Sequence, residues 1–210
     1  MVGSLPPGTP QVTAVPPPRR PLDTSDQVRR WYENELGWPT VPGSPPGLRL
    51  GLRFDVLDVP AEAGRAALRH LAPGSPVAVR GDRMRLLVAA GSAEELPGVL
   101  SWLEWDSLPL DLTVTGEGGV MKAPAPPGSG ATGGPGSREW AGGRPDTPQG
   151  VAVWLRPPEP GCEVEASLPT LSALGGGGDA PDLVRLLNTV ATHCHRLRLR
   201  RVCRQPLAFS

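Results

Sequence analysis

The sequence predicts an α+β domain, with a central mixed or antiparallel sheet and helices packed on it. Several short β-patterned segments and helical segments follow one another in mixed order along the chain. Gly81-Asp82 separates two apolar runs and predicts a hairpin, so at least part of the sheet is antiparallel. Glycine and proline make up 27 and 28 of the 210 residues and are clustered. The part of the chain that folds is therefore shorter than its length suggests.

Three segments are expected to lie outside the folded core. Residues 1–22 carry seven prolines and no apolar periodicity, so they cannot bury enough apolar surface to offset the entropy of ordering, and we expect a disordered arm. Residues 124–149 are rich in glycine, proline and serine and form a loop or linker of a length that compact domains rarely keep ordered. Residues 205–210 form a short tail.

The core, residues 23–123, is expected to open with a helix capped by Thr24, Ser25 or Asp26 and ended by Gly37. Residues 48–59 change from apolar alternation to a nearly continuous apolar run, which predicts one strand that enters the centre of the sheet. Pro60 then stands where the first residue of a helix would be. That helix is expected to carry apolar residues at helical spacing, namely Ala63, Ala66, Ala67 and Leu71.

The second half of the core begins with the hairpin, formed by Val77–Arg80 and residues 84–88. Ser92 and Glu95 have the spacing of a capping box and predict a further helix. Asp111 then leads a β-patterned run into the turn Gly118-Gly119. Residues 150–204 complete the domain with a strand at 151–155, a flexible joint at 175–178 and a closing helix. We expect Asp179 to cap that helix, which carries five arginines near its end: Arg196, Arg198, Arg200, Arg201 and Arg204.

Composition excludes some classes of protein. The 21 basic and 21 acidic residues cancel, so any contact with nucleic acid has to be local. There is no apolar run of the roughly 18 residues that span a bilayer and no secretion signal, so we expect a cytoplasmic protein without a membrane partner. The three cysteines have no disulfide spacing, which fits a reducing compartment. All but one of the basic residues are arginine, which indicates GC-rich coding.

Four blocks of the sequence resemble, in order, the prim-pol domain, the amino-terminal domain of bifunctional DNA primase/polymerases of actinobacterial type. Residues 31–42 are similar to its opening helix and Gly-Trp-Pro exit, and Phe54–Pro60 to its strand ending in Asp-x-Asp. Residues 80–88 stand where the family has a glycine turn and a strand-borne histidine. Residues 110–127 resemble its last block, an aspartate strand leading into a glycine pair and a proline stop. The resemblance implies a prim-pol/RRM-like core.

The same resemblance implies a degenerate active site. Nucleotidyl transfer needs two metal ions held by several carboxylates, and a pair at i and i+2 on a strand supplies them from one face. Here Asp58 is followed by Pro60, while Asp55 belongs to the opposite face. Met84 or a neighbour stands at the histidine position. Asp58 and Asp111 are the residual catalytic and metal positions and could together hold at most one weakly bound ion. Alternatively, Asp58 is a structural carboxylate at a helix entrance and Asp111 a solvated strand residue.

Three other groups of residues have alternative interpretations. Arg196, Arg198, Arg200 and Arg201 are candidate nucleic-acid-binding residues that would grip phosphates without sequence preference, or they form a solvated helix end. His193-Cys194-His195 with Cys203 offers metal ligands, but neighbouring helical positions lie about 100° apart and do not share one ion easily. One tryptophan of Trp102 and Trp105 is a candidate partner contact, with core packing as the alternative.

We therefore expect a prim-pol-like domain without catalytic activity, which needs no cofactor and acts as a binding or regulatory module. Its partner would be a protein or a nucleic acid. A second hypothesis is an active DNA primase/polymerase or nucleotide-binding enzyme that uses Mg²⁺ or Mn²⁺ in a rearranged site. A third is a structural adaptor whose proline-rich arm and linker recruit partners.

Overall fold

A computed structural model describes residues 24–128, 151–171 and 181–203, and it confirms the α+β class. The arm at 1–22, most of the linker and the tail lie outside the described residues. The four α-helices are α1 (Thr24–Arg30), α2 (Ala61–Ala67), α3 (Ser92–Trp102) and α4 (Leu183–Cys203). The strands are β1 (Thr40–Val41), β2 (Gly47–Arg49), β3 (Phe54–Pro60), β4 (Val77–Arg80), β5 (Arg83–Ala89), β6 (Thr113–Thr115), β7 (Val120–Lys122) and β8 (Val153–Arg156).

The larger sheet has five strands in the order β6-β3-β5-β4-β8, and all neighbours are antiparallel. Its hairpin β4-β5 turns at Gly81-Asp82 as predicted, with Arg80 paired to Arg83 and with Gly81 at φ 59°. A positive φ costs glycine nothing, which is why the turn can be this short. The long strand β3 lies between β6 and β5, and β5 is the central strand of the sheet.

The prediction of one strand over residues 48–59 is wrong. Strand β2 ends at Arg49, and β3 begins at Phe54 in a different sheet, because the chain bends at Gly51, which adopts φ 84°. A side chain at Gly51 would also overlap the backbone of Glu117. The smaller sheet has the order β1-β2-β7 and is antiparallel. Helix α2 begins at Ala61, one residue later than Pro60 suggested.

Helices α2, α3 and α4 pack on one face of the larger sheet. Alternation along β3 sends Leu57 and Val59 to this face, where they join a buried apolar core. Helix α4 contributes much of this core through Leu183, Leu186, Leu187, Val190 and Cys194. The side of the helix that the sequence predicted to be buried is therefore the side that packs.

The opposite face of the sheet has a second core. Phe54 and Val56 of β3 point to this side, where α1 and the smaller sheet cover them. The α1 helix continues as a π-helical turn, Trp31–Glu35, that brings Tyr32 into the core. The Tyr32 hydroxyl donates to the Pro124 carbonyl at 2.8 Å and accepts from the Trp154 indole N–H at 2.8 Å. The first residues of the predicted linker are thus packed, and Ala125 bridges to Val153.

Two helix caps differ from the prediction. Helix α3 begins at Ser92 without a side-chain cap from its own segment. Instead, the Asp55 carboxylate of β3 accepts the Ala93 backbone N–H at 2.9 Å. Helix α4 begins at Leu183, and Asp182 accepts the N–H groups of Val184 and Arg185. Asp179 lies outside the described residues.

Asp55 should make stability depend on pH. Burial raises its pKa above the ordinary value of 3.8, although the backbone N–H groups of Ala93 and Gly91 oppose the shift. The folded protein therefore holds this proton more tightly than the unfolded chain, and Asp55 stabilises less as pH rises through that window. We therefore compare Asp55→Asn with the unaltered protein by urea unfolding from about pH 4 to about pH 7. As pH rises, we expect the free energy of unfolding of the variant to increase relative to that of the unaltered protein. If the free energy of unfolding has the same pH dependence in both proteins, the ionisation of Asp55 does not cause it.

Candidate functional site

The candidate site lies on the larger sheet, on the face that carries the aromatic core. That core covers Phe54 and Val56, while the next residue of β3 on the same face is Asp58. In the strand register, Asp58 of β3 lies opposite Arg85 of β5 on one side and opposite Thr113 of β6 on the other. Arg83 follows on the same face of β5. This end of the sheet therefore carries charged and polar side chains where the other end is apolar.

Arg83 joins the two candidate carboxylates. Its Nε donates to Asp58 Oδ1 at 2.6 Å, and its Nη1 donates to Asp111 Oδ1 at 2.6 Å. Its Nη2 donates to the backbone carbonyl of Asp58 at 3.0 Å. Burial alone would lower the pKa of Arg83, but the hydrogen bonds to Asp58 and Asp111 raise it above its ordinary value. All three nitrogens of this guanidinium are occupied by bonds within the domain.

Two more arginines occupy the remaining carboxylate oxygens. Arg85 Nε donates to Asp58 Oδ2 at 3.0 Å, and Arg201 Nη1 of α4 donates to Asp111 Oδ2 at 3.4 Å. The result is an alternating row of five charges, which we call the arginine-aspartate ladder: Arg85, Asp58, Arg83, Asp111 and Arg201. Each of the four carboxylate oxygens accepts a hydrogen bond from a guanidinium nitrogen. The ladder also attaches the end of α4 to the sheet.

The donor set of this site does not fit a pair of divalent cations. Among residues 24–128, 151–171 and 181–203, no three His, Cys, Asp or Glu side chains are grouped so that they could hold a metal ion. Both carboxylates that would bind the metal bind Arg83 instead, and a metal ion there would lie beside three cationic side chains. The structure thus brings Asp58 and Asp111 together, as a shared site requires, but around a guanidinium.

Sequence reasoning missed Arg83 and Arg85 and named Met84 between them. Met84 is fully buried on the helix side, against Gly64 of α2. Because side chains alternate along a strand, the flanking arginines belong to the face of Asp58. The signal was present in the pattern Arg83-Met84-Arg85, with a buried apolar residue between two charged ones. Asp58 likewise faces these arginines and not the entrance of α2, and Asp111 precedes β6 instead of lying within it.

Cys194 lies behind the ladder. Its thiol donates to the Asp111 backbone carbonyl at 3.7 Å, which helps to hold Asp111 beside α4. Burial, followed by the nearby Asp111 carboxylate, raises the pKa of Cys194 to about 11. The thiol is therefore protonated at neutral pH and has no thiolate character.

The four candidate nucleic-acid-binding arginines do not form one surface. Successive helical residues are about 100° apart, so Arg196 and Arg200 lie within about 40° of each other, and Arg198 and Arg201 point to a different side. Two of the four are engaged in ion pairs across the domain, Arg201 with Asp111 and Arg200 with Glu62 at 2.7 Å. Acidic partners that are distant in sequence therefore neutralise half of this cluster. Arg204 is outside the described part of the chain.

The two tryptophans differ in their surroundings. Trp102 is 70% exposed on α3, which leaves it the candidate partner contact. The Trp105 indole N–H donates to the Asn188 side chain at 3.0 Å and so ties the end of α3 to α4.

No protein-family model, curated protein or solved structure matches this chain. In the described part of the chain, no helix has both the length and the apolar character needed to cross a membrane. The function has therefore to be argued from the fold and from the ladder.

Proposed function

We propose that this chain is a prim-pol-like domain without catalytic activity, which acts as a binding or regulatory module. The strand order supports a prim-pol/RRM-like core: the run β3-α2-β4-β5-α3-β6 forms four adjacent strands in the order β6-β3-β5-β4. This is a β-α-β-β-α-β unit with both helices on one face. Asp58 lies on its other face, and Asp111, which precedes β6, joins it through Arg83 at the end of the sheet.

The observation that carries the proposal is the position of Arg83. Two-metal catalysis needs cations that activate the attacking oxygen and stabilise the leaving one. A guanidinium between Asp58 and Asp111 neutralises the carboxylates, but it is a hydrogen-bond donor and not a Lewis acid, so it cannot activate an attacking hydroxyl as a bound metal ion does. Its three donor nitrogens are already bonded to the protein. In this proposal, Asp58 and Asp111 retain the positions that the prim-pol resemblance assigns to catalysis, but their role here is structural.

The proposal is tested by nucleotide incorporation. We expect the purified full-length chain to incorporate no labelled nucleotide with Mg²⁺ or Mn²⁺, on primed or unprimed templates, beyond the background of an Asp111→Ala variant. The reason is that a metal ion would have to displace the guanidinium groups that already donate to both carboxylates, beside three cationic side chains. Incorporation that is present in the unaltered protein and disappears in Asp111→Ala would favour the enzyme hypothesis, with Asp111 as a metal ligand.

A further inference from the structure

Helices α2 and α4 lie side by side and antiparallel on the outside of the domain. At one end, Arg200 of α4 pairs with Glu62 of α2 at 2.7 Å. At the other end, the hydroxyl of Thr189 and Nε2 of His70, in the 3₁₀ turn Leu68–His70 after α2, are 2.9 Å apart. These two contacts define a shallow seam between the helices, which we call the α2-α4 seam. It lies on the helix side of the sheet, away from the ladder face.

Basic side chains line this seam on both helices. On α4, Arg185, Arg196 and Arg200 lie within about 60° of one another, along the side that meets α2. On α2 and the turn after it, Arg65 and Arg69 follow Glu62 at spacings of three and four residues, so they share its outer row. All five arginines are exposed. Two acidic residues lie among them: Glu62, and Asp182, which pairs with Arg185.

His70, a partly buried residue on the seam, lies among these charges. Burial lowers the pKa of His70, and the charges of Arg69 and Arg185 lower it further, against the opposing effect of Asp182. The cationic field is therefore present at the His70 end of the seam. Arg196 is exposed and makes no ion pair with any described residue.

From these contacts we infer that the α2-α4 seam binds the phosphate backbone of a nucleic acid, without sequence preference. Arg185 and Arg200 are 15 residues apart, which is about 22 Å along a helix. One strand of a duplex presents about six phosphates over that distance. Guanidinium groups suit this ligand because they pair with phosphate oxygens in a bidentate manner. The inference rests on the proposed binding function and gives it a partner and a surface.

The composition of the seam favours nucleic acid over a protein or a membrane. The centre of a protein interface is usually apolar and depleted in charge, and a helix that lies on a membrane needs an apolar face. The exposed apolar residues of α4, Leu199 and Val202, lie about 60° and 120° around the helix from Arg196. Val202 is turned away from the seam and Leu199 lies at its edge, while the seam itself carries five arginines and two acidic residues.

A matched pair of variants of the full-length chain tests the inference. Arg69→Gln with Arg196→Gln removes two charges from the seam. Arg30→Gln with Arg49→Gln removes two exposed charges outside it. Binding of a fluorescein-labelled 20-base-pair DNA duplex is measured by fluorescence anisotropy over a salt series that begins at about 50 mM. Poly-glutamate of equal charge is the competitor.

We expect the seam variant to bind DNA at least about tenfold more weakly at low salt. The slope of log affinity against log salt concentration should be smaller in magnitude by about two, because two phosphate contacts are lost. The control variant should bind like the unaltered protein. Equal losses in both variants, no loss in the seam variant, no DNA binding at low salt, or equal competition by poly-glutamate would each overturn the inference. These results are separable from the failure of the proposed function, because metal-dependent nucleotide incorporation is a different readout and depends on the opposite face.

Discussion

Replacing Trp38 by alanine should lower the free energy of unfolding by about 3 to 5 kcal/mol. Trp38 is 2% exposed, and its ring lies 4.6 Å from Phe54, 5.9 Å from Tyr32 and 6.3 Å from Trp154, centroid to centroid. These partners belong to β3, to the turn after α1 and to β8. The substitution therefore leaves a cavity where three parts of the fold meet, and the surrounding elements cannot close it.

The measurement is urea unfolding followed by circular dichroism, with Trp102→Ala as the matched control. Trp102 is mostly exposed, so the same chemical change there should cost about 0.5 kcal/mol or less. Similar losses for the two tryptophans would show that the aromatic core does not hold the smaller sheet and α1 on the larger one.

The second large effect is expected from Arg83→Met, which should lower the free energy of unfolding by about 2 kcal/mol. Removing one partner of a buried ion pair costs about 3 to 5 kcal/mol. We expect less here because the side chains of Arg83, Asp58 and Asp111 are 27%, 23% and 44% exposed. The loss arises from two carboxylates that come close together without their shared cation.

A second substitution separates this charge effect from simple loss of packing. Adding Asp111→Asn to Arg83→Met removes one of the two negative charges and should restore part of the lost stability. The matched control is Arg29→Met, which breaks an exposed pair with Asp26 whose side chains are both 46% exposed, and should cost about 0.5 kcal/mol. If Arg83→Met and Arg29→Met lower the free energy of unfolding by the same amount, the ladder stabilises the fold no more than an exposed ion pair does.

The features that could be predicted from the sequence are those with local causes. The hairpin follows from Gly81-Asp82, and the closing helix follows from the spacing of its leucines, because both signals lie within a few residues. The resemblance to prim-pol blocks led to the expectation that Asp58 and Asp111 share a site, and both carboxylates contact Arg83. The break between Arg49 and Phe54 was missed because Gly51 stands in a run that is otherwise strand-like.

The features that were missed depend on contacts between residues far apart in the chain. Asp55 caps a helix that begins 37 residues later in the sequence, counted from Asp55 to Ser92, and no local pattern indicates such a cap. Arg200 and Arg201 have acidic partners at Glu62 and Asp111, so the apparent excess of charge at the end of α4 was only in part an excess. The role of Arg83 required the register of β3 against β5, which sets which side chains share a face.

Binding of Mn²⁺ tests the central claim, that Arg83 takes the place of metal between Asp58 and Asp111, most directly. Free Mn²⁺ is followed by electron paramagnetic resonance as it is titrated into the full-length protein and into an Asp58→Asn/Asp111→Asn variant. We predict that the two titrations coincide, because a Mn²⁺ ion would have to displace guanidinium groups that donate to all four carboxylate oxygens and would lie beside three positive charges. Saturable binding of one or two ions by the unaltered protein, lost in the double variant, would contradict the claim and restore a metal site at this end of the sheet.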